Sequence, residues 1–182
     1  ALYCEVSSMN EASNPVSTAP KPMVFQITED FSNPMDSIIQ TSSDLNLDDY
    51  LGAWKARRGV KRMEYKIRPG LYRLGEAGPD SPVLVTANYK MSFDYLRREL
   101  TGLNAWILVL DTAGINVWCA AGKGTFGTDE LVTRIAVTGL PRIVSHRTVI
   151  VPQLGAAGVA AHEVRRRSGF KVVYGPIRGQ DI

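Results

Sequence analysis

The second half of the chain alternates short apolar runs with longer amphipathic segments, and this pattern predicts its main elements. Short runs rich in apolar residues indicate buried strands. We expect four such strands, at 83–87, 105–110, 148–151 and 170–174. Segments with an apolar face at helical spacing indicate helices between them, at 92–100, 131–137 and 159–167. Strands that alternate with helices in this way predict βαβ units, right-handed crossovers and a mostly parallel sheet with flanking helices.

The first part of the chain has a different pattern. The stretch from Ser7 to Pro22 is rich in Ser, Asn, Thr and Pro with little hydrophobic periodicity, so residues 1–48 are predicted to form a flexible N-terminal arm. From Tyr50 to Leu74, short half-apolar runs flank a turn at Pro69 and Gly70. We therefore expect a small antiparallel β layer beside the main sheet, within an α/β domain that spans residues 49–182.

The turns that follow the predicted strands are the candidate ligand-binding region. Asn88, Cys119, Gln153 and the pair Gly175 and Pro176 each come after the carboxyl end of a successive strand. In Rossmann-like open sheets, ligands bind at that edge. Because most of these turns contain Gly or Pro, we expect a broad surface lined by backbone. Such a surface suits a large flat ligand better than a single phosphate.

Composition narrows the class of protein. The chain has 182 residues, 45% of them hydrophobic, which is enough for a sizeable core, and its net charge of +3 is too small to indicate a nucleic-acid partner. Its two cysteines, Cys4 and Cys119, are far apart, which excludes a disulfide framework and a paired-cysteine metal site and favours a reducing compartment. The sequence has no apolar run long enough to span a membrane and no signal-peptide pattern.

Several familiar sites do not fit the chain. A P-loop would need Gly at the position of Val117 and Ser or Thr at the position of Gly124. The Gly-x-Gly-x-x-Gly pattern at 122–127 does not follow a strand directly, so these glycines are interpreted as a flexible connection. His146 and His162 have no partner at metal-ligand spacing and are interpreted as ordinary histidines.

Cys119 lies in the most unusual stretch of the sequence. The apolar run 106–110 is followed by a Gly-interrupted turn, after which Asn116 is a good N-cap and Cys119 is the third helical residue. The positive end of the helix and Lys123 one turn further on favour a thiolate there. Two interpretations remain open, namely a metal-binding or nucleophilic cysteine displayed on a short helix, or a small cysteine packed in the core.

Residues 116–123, Asn-Val-Trp-Cys-Ala-Ala-Gly-Lys, resemble the cap-helix motif of the corrinoid proteins that methylate mercury in anaerobic microbes. Residues 81–90, 108–127, 151–154 and 174–176 are also similar to the cobalamin domain of that family, and the resemblance covers about residues 50–182. A wider relative is the large subunit of the corrinoid iron–sulfur protein of acetyl-CoA synthesis. It shares the fold but lacks the cysteine of the cap helix.

The resemblance implies a cofactor and a set of binding residues. The cofactor is cobalamin bound base-off, with Cys119 as the lower axial ligand of cobalt and the catalytic residue. Trp118 is equally compatible with packing under the cap, and Lys123 with either tuning Cys119 or holding the helix. The implied cofactor contacts are Thr86, Asn88, Asn116, Val117, Trp118, Cys119, Ala120, Ala121, Gly122, Lys123, Gly124, Pro152, Gln153, Leu154, Gly155, Ala156, Gly175 and Pro176.

The implied activity is transfer of a methyl group to Hg(II), which gives methylmercury. A thiolate ligand suits the oxidised cobalt left when methyl departs as a carbanion equivalent, and radical transfer stays open. The implied partners are a ferredoxin-like iron–sulfur electron donor, a methyl-donor methyltransferase of one-carbon metabolism, and the membrane, through a C-terminal region absent from this chain, on its cytoplasmic side. The alternative is a methyl-carrier corrinoid protein of acetyl-CoA metabolism without mercury selectivity. A third hypothesis, a binding domain with a packed Cys119, predicts no cobalamin uptake.

Overall fold

The computed structural model describes residues 38–60, 62 and 64–176, which form one sheet with helices on both faces. Residues 1–37 of the predicted 1–48 arm, which include Cys4, and the residues after Pro176 lie outside this described part. The elements in chain order are β1 (Ile39–Thr41), α1 (Leu47–Arg57), β2 (Gly70–Leu74), β3 (Val83–Ala87), α2 (Lys90–Glu99), β4 (Ala105–Leu110), α3 (Val117–Lys123), α4 (Thr128–Val137), α5 (Leu140–Ile143), β5 (Thr148–Val151), a 3₁₀ turn (Gln153–Gly158), α6 (Ala161–Ser168) and β6 (Lys171–Tyr174).

The sheet has six strands in the order β1-β2-β4-β3-β5-β6. The four strands β4, β3, β5 and β6 are mutually parallel, β2 pairs antiparallel with β4, and β1 pairs parallel with β2. This confirms the predicted α/β fold with a mostly parallel sheet. From β3 the chain crosses to β4 on one side and later returns to β5 on the other, so the strand order reverses between β3 and β5. Such a switch point is where open α/β sheets leave a crevice for ligands.

The two faces of the sheet are covered unequally. On one face, α3, α4, α5 and α6 bury a large core over the sheet, in which Leu131, Ile135 and Val164 are almost fully shielded from solvent. On the other face, α2 packs Phe93 and Leu100 against the strands on its side. Beyond α2, no helix among the described residues covers the second face, where Ile150 of β5 is only partly buried and Val173 of β6 is 38% exposed. An apolar strip of the sheet is therefore left open beside the switch point.

The N-terminal part of the domain differs from its prediction. β2 is a strand of the main sheet and not part of a separate antiparallel layer. Residues 47–57, predicted as arm and strand, form the helix α1, and β1 also lies within the range assigned to the arm. The local signals for α1 are a capping box between Asn46 and Asp49, acidic residues in its first turn and basic residues in its last.

Gly52 obscured this helix in the sequence because glycine is a poor helix former. In the structure a side chain at position 52 would collide with the ring of Tyr65, which packs directly on the helix backbone. The glycine therefore serves tertiary packing that the sequence pattern does not reveal. Within the described part of the chain, no helix has the length and apolar character needed to cross a membrane.

Candidate functional site

A cavity of about 540 Å³ lies at the carboxyl ends of β3 and β5, at the switch point of the sheet. Its floor is formed by the second face of the sheet, where the buried Leu84 and Thr86 and the partly buried Ile150 line it. Its size falls within the range of roughly 300–1,000 Å³ found for small-molecule sites. The predicted edge of the sheet therefore does carry a concave site.

Of the binding residues predicted from the sequence, eight line this cavity. Trp118 lines the cavity and is 70% exposed. The alternative that it packs under the cap helix is therefore wrong. Val117, in contrast, is largely buried between the cavity and the core. The eight lining residues are Thr86, Asn116, Val117, Trp118, Pro152, Leu154, Gly175 and Pro176.

Cys119 occupies the expected position in α3. The side-chain oxygen of Asn116 accepts a hydrogen bond from the backbone N–H of Cys119 at 2.9 Å, which makes Asn116 the N-cap and Cys119 the third helical residue. Its thiol is free and exposed, so the alternative of a cysteine packed in the core is wrong. Cys119 does not itself line the cavity, whereas the three residues before it do.

Small residues fix α3 closely against the 3₁₀ turn. Ala120 and Ala121 are buried in the core, and a Cβ atom at Gly158 would collide with the backbone oxygen of Phe126. Gly155 is likewise covered by the Phe126 ring. Ala120, Ala121 and Gly155 were predicted as cofactor contacts, but they pack the wall from behind and do not line the cavity.

The glycine-rich stretch after α3 is an ordered turn and not merely a flexible connection. Gly124 ends the helix in the left-handed conformation with φ of 80°, and a Cβ atom at Gly127 would lie 2.8 Å from the Gly124 oxygen. Five further predicted contacts lie outside the cavity lining, four of them exposed and Ala156 partly buried. These five are Gly122, Lys123, Gly124, Gln153 and Ala156.

Asn88 has a different role from the predicted cofactor contact. It is 2% exposed and does not line the cavity. Its amide nitrogen donates to the Asp111 carboxylate at 3.0 Å, and its amide oxygen accepts from the backbone N–H groups of Thr112 and Gly114 at 3.1 and 2.9 Å. The same loop holds Ala113 in the left-handed region with φ of 55°. Asn88 thus shapes the loop between β4 and α3 and so positions the cap helix.

The opposite wall of the cavity was not predicted from the sequence. It is formed by the end of α1, the turn that follows it and one face of α2, all on the open side of the sheet. The capping box at Asn46 could have revealed α1, and with it this wall. The wall residues are Ala56, Arg57, Arg62, Tyr89, Met91, Ser92, Tyr95 and Leu96.

Buried charges hold this wall together. The Lys90 ammonium contacts the carboxylates of Asp49 and Asp94, each at 2.6 Å, and the Arg97 guanidinium contacts the same two carboxylates at 2.7 and 2.8 Å. Arg97 also donates to the backbone oxygens of Ser42 and Asp44. Two positive and two negative groups balance, so the cluster fastens α1 to α2 without net charge.

The pKa values of two groups at this wall are shifted. Burial alone raises the pKa of Asp49, but hydrogen bonds and charge from Lys90, the Asn46 N–H and Arg97 outweigh burial and hold the pKa below its ordinary value. Burial, reinforced by the carboxylates of Asp94 and Asp49, raises the pKa of Tyr65 to about 12. The Tyr65 ring also meets the edge of Tyr89, a cavity residue, with centroids 6.4 Å apart.

The two histidines lie away from the cavity lining. His146 bonds the Ser81 carbonyl oxygen through Nε2 at 2.9 Å, and its Nδ1 accepts from the Thr148 N–H. The side chain of His162 is 83% exposed. Across the described residues, no group of three or more His, Cys, Asp or Glu side chains is placed to hold a metal ion.

Comparisons with known proteins identify the lineage. The chain is 31% identical over 118 residues to the gamma subunit of the acetyl-CoA decarbonylase/synthase complex of Archaeoglobus fulgidus, covering 64% of this chain and 25% of that protein. It is 31% identical over 116 residues to the corresponding Methanopyrus kandleri subunit, with 63% and 25% coverage. It is also 32% identical over 111 residues to gamma subunit 2 of Methanosarcina thermophila, with 59% and 23% coverage.

The chain thus spans about a quarter of the length of these curated relatives. Residues 61–182, which include β2 to β6 and both walls of the cavity apart from the end of α1, match the family model described as CO dehydrogenase/acetyl-CoA synthase delta subunit. That match covers well over half of the chain. The protein belongs to the CO dehydrogenase/acetyl-CoA synthase delta subunit family.

Proposed function

We propose that this chain is a corrinoid-binding methyl-transfer domain in which Cys119 would supply a thiolate ligand to the cobalt of the corrinoid. One observation carries the proposal: a free, exposed thiol follows directly after three residues that line the cavity at the switch point. The resemblance of residues 116–123 to a corrinoid cap helix supports the same assignment. Membership of a family named for acetyl-CoA synthase agrees with a role in methyl transfer.

The residues present fit a corrinoid. The cavity offers an apolar floor, an exposed indole at Trp118 and backbone-rich turns at Pro152 and Gly175, which suit the broad face and edge of a corrin. A corrin holds cobalt through its own four nitrogens, so the protein needs to add only one soft ligand. An accessible cysteine meets that need without a cluster of metal-binding side chains.

The bound corrinoid would supply a cobalt centre that accepts and releases a methyl group. The contribution of the protein is to place a thiol at a fixed point. Asn116 caps α3 at the backbone N–H of Cys119, and Asn88 fixes the loop that leads into the helix. Ala120 and Ala121 let the helix lie tightly against the 3₁₀ turn behind it. Cys119 is therefore held on a helix that these contacts position, as a residue that would bind the cobalt of a corrinoid requires.

A methyl-carrier role in acetyl-CoA metabolism is the form of this function that the comparisons support more directly. The relatives are named as subunits of acetyl-CoA decarbonylase/synthase complexes. In this form the domain would exchange methyl groups with partner enzymes of one-carbon metabolism. Because the chain spans about a quarter of those relatives, this role is proposed for the domain only.

Methylation of Hg(II) is a second candidate, supported by the exposed Cys119 in a motif that resembles the mercury-methylating cap helix. Hg(II) would be the substrate, and a thiolate ligand would favour release of methyl toward a soft electrophile. With this candidate come the ferredoxin-like electron donor and the cytoplasmic membrane location that the resemblance implies.

The first experiment tests the ligand. The apo chain is reconstituted with hydroxocobalamin, and visible spectra are compared for the wild type, Cys119→Ala and, as a matched cysteine control, Cys4→Ala. We expect a base-off spectrum with thiolate-dependent features that Cys119→Ala alone loses while it still binds the corrinoid. Identical spectra for all three proteins would refute the ligand assignment, and no uptake by any of them would refute corrinoid binding.

A second experiment separates the two forms of the function. The chain loaded with methylcobalamin is exposed to Hg(II) without oxygen, and methylmercury is quantified against free methylcobalamin. Product formation that exceeds the free cofactor and depends on Cys119 would support mercury methylation. A methyl group that stays on the protein with Hg(II), but passes to an acetyl-CoA synthase, would support the carrier role instead.

A further inference from the structure

The charged residues in the described lining of the cavity are all positive. Among the described residues that line it, the only charged side chains are Arg57 and Arg62, and no Asp or Glu lines it. Both arginines are exposed, and neither guanidinium has a hydrogen-bond or ion-pair partner among the described residues. The remaining lining is mostly apolar. A ligand that complements this site has a large apolar body and one anionic group.

The neighbouring arginine shows that this placement is selective. Arg58 follows Arg57 directly, yet its guanidinium stacks over the Trp54 ring at 4.1 Å and does not line the cavity. The carbonyl end of α1 favours a basic residue at both positions. That general preference therefore accounts for the charge at the helix end, but not for the place of Arg57 in the cavity lining or for the presence of Arg62 beyond the helix.

We propose that Arg57 and Arg62 bind the phosphodiester of the nucleotide tail of a corrinoid seated in the cavity. This inference rests on the proposed corrinoid-binding function and assigns its specificity. When the lower ligand of cobalt is a protein thiol, the nucleotide tail is displaced from the metal and its negative charge needs a counter-charge elsewhere. Guanidinium groups match phosphate oxygens in geometry as well as in charge. The two arginines are the cationic side chains that the described cavity lining offers.

The test compares corrinoids with and without the phosphate. Hydroxocobalamin has the phosphodiester and the base, cobinamide has the same ring without either, and cobinamide phosphate has the phosphate alone. Affinities are measured by visible titration of the full chain for the wild type, Arg57→Gln, Arg62→Gln and the double variant. Arg58→Gln is the matched control, since it removes the same charge one residue away.

We expect Arg57→Gln and Arg62→Gln each to weaken the binding of hydroxocobalamin and cobinamide phosphate roughly tenfold, which is the effect of losing one charge-assisted hydrogen bond near solvent. Cobinamide affinity should stay unchanged, and Arg58→Gln should match the wild type for all three ligands. The wild-type preference for phosphate-bearing corrinoids should also shrink as NaCl is added.

Equal losses of affinity for cobinamide and hydroxocobalamin would overturn the inference, because the arginines would then only support the structure of the cavity wall. Unchanged affinities in the double variant would overturn it as well. In both cases the wild type still binds corrinoid, so the proposed function stands. Failure of the wild type to bind any of the three ligands would overturn the function and the inference together.

Discussion

The two walls of the cavity are built by different chemistry. The wall formed by α3 and the 3₁₀ turn relies on the close approach of Gly158 to the Phe126 backbone, and on the Asn88 side-chain oxygen, which accepts hydrogen bonds from backbone N–H groups of the preceding loop. The wall formed by α1 and α2 relies on the buried cluster of Asp49, Lys90, Asp94 and Arg97. The first wall depends on close packing and the second on ion pairs, so the two walls should respond to different perturbations.

The largest effect is expected from Arg97→Met, which removes the buried guanidinium between Asp49 and Asp94. Two buried carboxylates would then share Lys90 alone, and breaking such a pair costs about 3–5 kcal/mol. Urea unfolding measures the loss. The matched control is Arg98→Met on the same helix, whose partner Glu99 lies beside it near the surface, and this change should cost less than about 1 kcal/mol. Equal losses for the two variants would contradict the charge-built wall.

Gly158→Ala should weaken the other wall by about 1–3 kcal/mol, because the new methyl group collides with the Phe126 backbone and overpacks the contact. Gly122→Ala in α3 is the control, since no atom lies within 4 Å of its Cβ position, and better helix propensity should stabilise the protein by about 0.5–1 kcal/mol. Thermal unfolding of both variants checks the difference in sign. Unchanged stability of Gly158→Ala to thermal unfolding would show that this wall is less tightly packed than its geometry indicates.

The two N-caps give a smaller and more even comparison. Asn46 caps α1 and Asn116 caps α3, each by accepting from a backbone N–H at 2.9 Å. Replacing either by Ala should cost about 1 kcal/mol of unfolding free energy. Only Asn116→Ala should change the rate at which a thiol reagent labels Cys119, because that cap orders the turn carrying the thiol. Equal changes in labelling would indicate that the two walls are mechanically coupled.

Lowering the pH should destabilise the wall formed by α1 and α2 before it affects the other wall. The pKa of Asp49 is lowered in the folded chain, so its contribution to stability is present above the unfolded value near 3.8 and is lost as pH falls through the folded value. The difference in unfolding free energy between wild type and Asp49→Asn should therefore be constant at neutral pH and shrink below pH 3.8. Urea titrations across that range measure it, with Gly158→Ala expected to keep a constant difference.

The sequence predicted the wall built from local signals and missed the one built from distant contacts. The strands β3, β4 and β5 follow from apolar runs, and the positions of Asn116 and Cys119 follow from capping rules. The helix α1 has a local signal in its capping box, but Gly52 obscured its helical pattern, and the contact of Asp49 with Arg97, 48 residues later in the sequence, forms only in the folded chain.

Asn88 shows the same limit in a different form. Its position after β3 was predicted, but its role was not, because its hydrogen-bond partners lie 23 to 26 residues further along the chain. The burial of Ala121 likewise depends on a distant residue, because Gly158 of the 3₁₀ turn approaches the Ala121 Cα only in the folded chain. Local pattern identifies which residues are special, and tertiary contacts decide what they do.

The bare strip of the second face has a consequence for how the protein is made. Ile150 and Val173 are partly exposed, and exposed apolar sheet surface promotes self-association. A ligand that covers this strip would therefore also act as a solubility factor. If the proposed corrinoid covers Ile150, the yield of soluble protein in a producing cell should rise with corrinoid supply.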